Sequence, residues 1–479
     1  MKRVLLINTN TEKMPYPVPP VGVCILASYI KHKYDVKIFD AMFDNQENFI
    51  KELTEYKPDY IGVSIRNIDN LEYDNSKYYI DAIYNDFIIP IKKTSSVPLI
   101  VGGSAYSIYP EFFLEKFEAD YGVVGEGENP LLALLDTLGN NGDTSQIPGV
   151  LSKKSKFIIN NNYFNLENLP SADIDLNLDF SQYTERGAYS IQTKRGCGHK
   201  CIYCTYPVIE GAAFRPRSPK SVADEIEDAH KRLGNVIFEF VDSTFNDPKG
   251  HAEEICREIA KRKINVRLRT MGINPVNATR ELFDLMMEAG FAQIDCTPDS
   301  ASPTMIKNMK KNFTLEELER AARLIKEYNM PTMWFFIFGG PGESEKTINE
   351  SFEFIDKWIG QEDMAHLTIG IRIFPKTDLH KIAIEEGYLS EEDNIITPAF
   401  YISKKLGEKK IFEIIKEKAK VRPNCIPASE SKPPREMMEA AMNIRKKMNL
   451  QEPMFRTLLR LRYQMFEKQK YGIALNVPK

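Results

Sequence analysis

No stretch of this sequence approaches the run of about 18 apolar residues that crosses a bilayer as a helix. The amino terminus offers no secretory signal either: Met1-Lys2-Arg3 is followed by a short apolar run at 4–7 that turns polar at once. An excess of one charge is also missing. With 63 basic against 67 acidic side chains the net charge is −4, so no nucleic-acid footprint shows at the level of net charge. These absences predict a soluble, cytoplasmic chain with no membrane span and no nucleic-acid partner. Its 479 residues suffice for two or three domains, each with its own core.

Cysteine is scarce, seven in all, and Cys24, Cys256, Cys296 and Cys425 stand far apart. Cys24 and Cys256 fall in amphipathic helical patterns, where a thiol serves as a small core residue. The other three are spaced CxxxCxxC in Arg195-Gly196-Cys197-Gly198-His199-Lys200-Cys201-Ile202-Tyr203-Cys204. Three thiolates on one loop can each ligate one iron of a cubane cluster. The fourth iron is then open to chelation by the amino and carboxylate groups of a small molecule. A zinc site would need a fourth ligand, which His199 supplies awkwardly from within the same loop. A disulfide would leave an odd cysteine in a chain that reads as cytosolic.

The spacing, with Tyr203 immediately before the last cysteine, resembles the signature loop of the radical S-adenosylmethionine superfamily. That resemblance implies a 4Fe-4S cluster on Cys197, Cys201 and Cys204, S-adenosylmethionine on the open iron, and Tyr203 beside the adenine.

Upstream, short apolar runs at 4–7, 36–39, 60–63, 99–101 and 121–124 alternate with helical patterns, which predicts a Rossmann-like, doubly wound parallel sheet. Ligands of such sheets sit at the carboxyl ends of the strands. Those ends carry Asn8-Thr9, then Ser64-Ile65-Arg66-Asn67, then Gly102-Gly103-Ser104, then Gly125-Glu126-Gly127-Glu128. Together with the proline loop at 15–20, these turns resemble the cobalamin-binding domain of one class of radical S-adenosylmethionine enzymes, over about residues 1–150. The family's histidine ligand is missing: none of the six histidines stands in a DxHxxG context. The Arg66 loop is similar to that of the thiopeptide tryptophan C2-methyltransferases, which implies an arginine beneath the corrin, where it blocks axial ligation; an ordinary solvated cation is the alternative. Residues 151–185 read as a polar linker over the surface.

From 186 to 400 strands and helices alternate again, at 189–193, 236–241, 266–269, 291–295, 333–338 and 367–373, which fits a partial (β/α)6 barrel with chemistry at the strands' carboxyl ends. The resemblance implies that Asp242 binds the methionine amino group, that Thr297 and Asp299 meet the ribose or carboxylate, and that Gly339-Gly340 of a GGPGE turn lie beside the adenine. Arg372 reads either as a carboxylate clamp or as one half of a salt bridge. Residues 401–479 form a helical carboxyl-terminal segment capping the barrel, and Tyr401 is a candidate to face the active site.

The resemblance as a whole implies a cobalamin-dependent radical S-adenosylmethionine methyltransferase acting on an unactivated carbon, or phosphorus, of a small-molecule substrate. An external electron donor of flavodoxin or ferredoxin type would supply reducing equivalents. A rearrangement, cyclisation or redox reaction with the same cofactors is the first alternative, and a non-catalytic cobalamin or redox sensor the second.

Overall fold

The computed structural model describes residues 1–153, 156–172, 178–185 and 187–471. All five expected amino-terminal strands form: β1 (Arg3–Asn8), β2 (Asp35–Asp40), β3 (Tyr60–Ser64), β4 (Leu99–Gly102) and β5 (Tyr121–Val123). A sixth, β6 (Val150–Ser152), which straddles the expected boundary between this domain and the linker, pairs antiparallel with β5 at the edge. The order is β2-β1-β3-β4-β5-β6 with the first five parallel. The apolar runs are continuous because both faces are covered. Leu5, Ile7 and Val63 pack with Phe49, Phe87 and Phe113 on one side. Val4, Leu6 and Ile38 pack with Val23, Cys24 and Leu134 on the other. In this strand order the chain reverses direction across the sheet between β1 and β3, and a crevice opens at their carboxyl ends.

The second sheet contains seven strands, all parallel, in the order β17-β14-β13-β12-β11-β10-β7. They are β7 (Tyr189–Ile191), β10 (Ile237–Phe240), β11 (Arg267–Ile273), β12 (Phe291–Asp299), β13 (Thr332–Phe338), β14 (Met364–Ile369) and β17 (Cys425–Pro427). Two short antiparallel ribbons stand outside it: β8 (Lys194–Arg195) with β9 (Arg215–Pro216), and β15 (Ile371–Arg372) with β16 (Phe400–Tyr401). The expected six-stranded barrel therefore gains a strand from beyond residue 400, and the expected strand at 367–373 breaks at Gly370. Helices such as Pro219–Leu233, Leu315–Glu327 and Glu345–Trp358 cover the outside, the last two opened by capping boxes at Thr314 and Ser344. In β13 every second residue is fully covered by these helices, while Met333, Phe335 and Ile337 between them are only half-buried. The inner face of the arc thus borders open space.

The helix Met454–Tyr471 places Phe455 and Leu459 against Ile426, Met333 and Met364. Met333 and Met364 begin their strands, so this helix closes the floor of the barrel. The expected surface linker falls partly outside the described residues. Where it is described it is not superficial, because Phe164, Leu166 and Leu169 are buried against Ile25.

Polar contacts join the two sheets. Tyr183 donates to Asp40 at 2.6 Å, Tyr16 to Glu239 at 2.8 Å and Tyr109 to the Ile395 carbonyl at 2.9 Å. Arg372, in β15, corrects the expectation of a cofactor clamp. Its Nε meets Asp69 at 2.8 Å, and its Nη1 and Nη2 donate to the carbonyls of Ile373, Ala399, Ile395 and Ile396. All five N–H donors are engaged, which leaves none for a ligand carboxylate.

Breaking one side of this pair strands a buried charge. Arg372→Met should cost about 3–5 kcal/mol in urea unfolding of the apoprotein, and adding Asp69→Asn should recover much of it. A single-variant loss under about 1 kcal/mol would place the pair with surface ion pairs instead.

Candidate functional site

The cysteine loop is set by backbone geometry before any cofactor is considered. Gly196 has φ +82°, and a Cβ there would lie 2.0 Å from the Ala213 carbonyl oxygen, so only glycine fits. Its N–H donates to Glu210 at 3.0 Å, and the Cys197 N–H to the Gly211 carbonyl at 3.1 Å. Ile202, fully buried, anchors the far side through its N–H to Met309 and its carbonyl to the Leu379 N–H. All seven cysteines are free thiols. Burial pushes the Cys197 and Cys201 thiols up and that of Cys204 up to about 12, so metal entry must displace protons. Among the described residues no three His, Cys, Asp or Glu side chains converge on a single ion. Ligands that serve three different irons of a cubane need not converge in that way. The donor set, three thiols without a fourth, fits a cluster with one open iron.

Asp242, expected to receive a methionine amino group, is occupied by the protein. It accepts from the Thr193 N–H (2.8 Å), the Thr193 hydroxyl (2.5 Å), the Lys194 N–H (3.3 Å) and Lys194 Nζ (3.2 Å). These residues directly precede the cysteine loop, so Asp242 shapes that loop instead. Tyr401 is likewise turned away. It is 1 % exposed, its hydroxyl donates to Glu386 at 2.6 Å, and its ring packs on Tyr388. It is a structural tyrosine, not one facing the cavity.

Tyr203 and Asp299, 96 residues apart, are brought together: the Tyr203 hydroxyl donates to Asp299 Oδ2. Lys311, which the sequence reading missed, donates to the same oxygen at 2.8 Å. Burial opposes the charge of Lys311, but Asp299 and Tyr203 outweigh it and hold the ammonium well above its usual range. Thr297 lies half-buried on β12, one inward step below Asp299. At the end of β13, Gly339 (φ +94°) donates its N–H to Glu343, and Gly340 follows in the same turn.

The corrin-domain residues gather in the crevice between β1 and β3. The Thr9 hydroxyl bridges to the Ser64 carbonyl at 2.8 Å, and Ser104 to the Arg66 carbonyl at 2.9 Å. Asn67 reaches Asn10 at 3.4 Å. Gly103 has φ +103°, and a Cβ there would meet the Ile65 carbonyl at 2.6 Å. Gly102 closes β4, Gly125 donates its N–H to Ser107, and Gly127 packs on Leu26. Asn8 is committed to Asp40 at 2.7 Å. Glu126 is also committed, to Arg195 and Arg215, with its second oxygen on the Phe164 N–H. Neither is free to meet a ligand. Arg66 is exposed by area, yet Tyr206, Tyr16, Tyr183 and Glu239 all act on it; burial pulls its guanidinium down and those neighbours oppose it. A residue both exposed and surrounded in this way borders a cavity. No histidine follows β1, β3, β4 or β5 in these turns, so the crevice suits a corrin held without an imidazole ligand.

Crevice and cysteine loop meet. Tyr206, two residues after Cys204, opens a short helix (Tyr206–Ile209) that packs on Ser104–Ile108 of the first domain. An open-iron thiolate loop facing a switch-point crevice defines a cluster-dependent enzyme that works with a second, domain-borne cofactor. The family model for the B12 binding domain matches residues 7–135, and that for the radical SAM superfamily matches residues 191–355. The chain thus joins a B12 binding domain to a radical S-adenosylmethionine domain; its cofactors are a 4Fe-4S cluster, S-adenosylmethionine and cobalamin. An uncharacterised methyltransferase of Pyrococcus horikoshii is 25% identical over 405 residues, covering 81% of this chain and 84% of that relative. The tryptophan 2-C-methyltransferase of Streptomyces laurentii is 24% identical over 461 residues, covering 80% and 74%. The structure of the radical S-adenosylmethionine methyltransferase TsrM from Kitasatospora setae, with cobalamin and a [4Fe-4S] cluster bound, superposes with a TM-score of 0.83 at 20% identity. It covers 98% of this chain and all of that one, and shows the same fold.

Glu343 supplies a pH test of the glycine turn. Burial pushes its carboxyl up to about 7, against about 4.3 for an exposed glutamate. Between those values the unfolded chain is ionised and the folded one protonated, so this group makes stability fall as pH rises. Glu343→Gln should match the wild type near pH 4 and exceed it above pH 7 by on the order of 2–3 kcal/mol in thermal melts. Identical pH profiles would remove Glu343 from the account.

Proposed function

We propose that the chain is a cobalamin-dependent radical S-adenosylmethionine methyltransferase acting on an unactivated carbon of a small molecule. The observation that carries this reading is the packing of the short helix Tyr206–Ile209, which directly follows the cysteine loop, on Ser104–Ile108 beside the corrin crevice. The methyltransferase names of the relatives support it. When bound, cobalamin and S-adenosylmethionine would supply a transferable methyl group and radical chemistry. The chain's part is placement. Cys197, Cys201 and Cys204 would hold the cluster, and Tyr203, fixed by Asp299 and Lys311, would flank the adenine, with Thr297, Gly339 and Gly340 lining the rest of that site. Thr9, Ser64, Asn67, Gly102, Gly103, Ser104, Gly125 and Gly127 would line the corrin crevice. Electrons would come from a flavodoxin- or ferredoxin-type donor, and the free thiols suit a reducing cytoplasm.

Anaerobically reconstituted protein supplied with S-adenosylmethionine labelled on its methyl group should deliver the label to an organic product. Cleavage to 5′-deoxyadenosine with every label retained on methionine would instead make the enzyme a rearrangement or cyclisation catalyst.

Arg66 would lie beneath the ring, where a guanidinium has no lone pair to offer cobalt. The bound cobalt(II) form should therefore show no axial-nitrogen splitting in its electron paramagnetic resonance spectrum. Arg66→Lys should keep part of the activity and Arg66→Leu less. Clear nitrogen splitting in the wild type would return Arg66 to the role of an ordinary loop cation.

A further inference from the structure

The two cations that precede the cysteine loop serve the strands and the domain around it. Lys194 meets Asp242, just past β10, at 3.2 Å, and Arg195 meets Glu128 of the first domain at 2.6 Å. Lys311 is placed differently. It lies beyond the helix Pro303–Asn308, where Lys310 takes a left-handed φ of +52° and the chain turns back. Two residues before Lys311, the Met309 carbonyl accepts the Ile202 N–H at 3.2 Å, between Cys201 and Cys204. The turn that carries Lys311 is thus stitched into the cysteine loop itself. Its ammonium stands 6.0 Å from the ring centre of Tyr203, the neighbour of Cys204.

This ammonium and its acid are both nearly sealed from water, Lys311 at 9 % exposed and Asp299 at 4 %. Asp299 Oδ2 accepts Lys311 Nζ at 2.8 Å and the Tyr203 hydroxyl as well, while Nζ also reaches the Thr297 carbonyl at 3.4 Å. Asp299 leaves β12 at a φ of +64°, a left-handed conformation that side chains rarely adopt and that gathers at functional sites. Both charges are felt along the loop. Burial pushes all three thiols up; against it Lys311 favours the thiolate at Cys197, Cys201 and Cys204, and Asp299 disfavours it at Cys201. Charges fixed in the interior are screened far less than those in water.

We propose that Lys311 and Asp299 set the reduction potential of the cluster, the ammonium drawing it up and the carboxylate drawing it down. The potential of an iron–sulfur cluster follows its net charge and surroundings. Reduction adds one electron, taken from a low-potential donor, to a cluster already carrying three thiolates, and no bond is made or broken. A fixed cation beside the loop therefore favours the reduced state, and a fixed anion opposes it. The inference rests on the cluster alone and holds for either result of the methyl-label experiment.

Full-length, cluster-loaded protein is titrated with titanium(III) citrate and redox mediators before S-adenosylmethionine is added, and the reduced cluster is counted by electron paramagnetic resonance. Lys311→Met should make reduction about tenfold less favourable, a fall of about 59 mV for a one-electron couple. Lys311→Arg, which keeps the charge, should stay within about twofold of the wild type. Asp299→Asn should move the potential the other way, upward, by a similar factor. Residues that only held Tyr203 in place would shift both neutral variants in one direction or not at all. The proposal is overturned if Lys311→Met leaves the potential unchanged or raises it, if Lys311→Arg falls as far as Lys311→Met, or if Asp299→Asn fails to raise it. Where Lys311→Met loads no cluster, Asp299→Asn decides; if neither loads one, the pair is a structural requirement of the loop and the proposal falls.

Discussion

The rest of the architecture depends on the ion pairing of Arg195. This residue stands two positions before Cys197, and its guanidinium reaches Glu128 at 2.6 Å and Glu126 at 3.4 Å in the turn after β5 of the other domain. All three side chains are nearly sealed from water, so each charge is tolerable only with its partners in place. Burial alone would weaken the arginine's charge; the two glutamates outweigh it. The turn that would line the corrin crevice and the loop that would hold the cluster are therefore parts of one electrostatic unit, and neither domain presents a finished half of the cavity alone.

That unit accounts for what could be read from one sequence and what could not. The buried strands were legible because parallel strands covered on both faces are written as continuous Val, Ile and Leu runs. Two three-residue edge strands, Val150–Ser152 and Cys425–Pro427, were not, since so short a run carries no periodicity. The cysteine triad was legible because ligation chemistry fixes both the residue type and the spacing. Asp242, Arg372, Glu126 and Tyr401 were harder, because a polar residue near a strand end does not announce whether its partner is a ligand or the protein. For Arg372 that partner was Asp69, 303 positions away. Lys311 was missed for the converse reason: a lysine just beyond a helix reads as solvated until the fold brings Asp299 beside it.

The barrel strands hold a further signal that binary patterning obscures. β13 is apolar at almost every position, yet its two faces meet different surroundings, one under helices and one along the lumen. Arg269 and Asp295 interrupt otherwise strand-like stretches at half-buried positions.

The floor made by Phe455 and Leu459 belongs to a helix that carries none of the cofactor residues. It is fastened from its own side, Arg456 pairing with Asp363 at 3.3 Å. Side-chain size at these two positions therefore works as a gauge of length: a smaller residue deepens the lumen by a methylene or two, and a larger one shortens it, without disturbing a cysteine or the corrin crevice. The depth of the barrel and the placement of the cofactor residues are thus set by different elements of this fold.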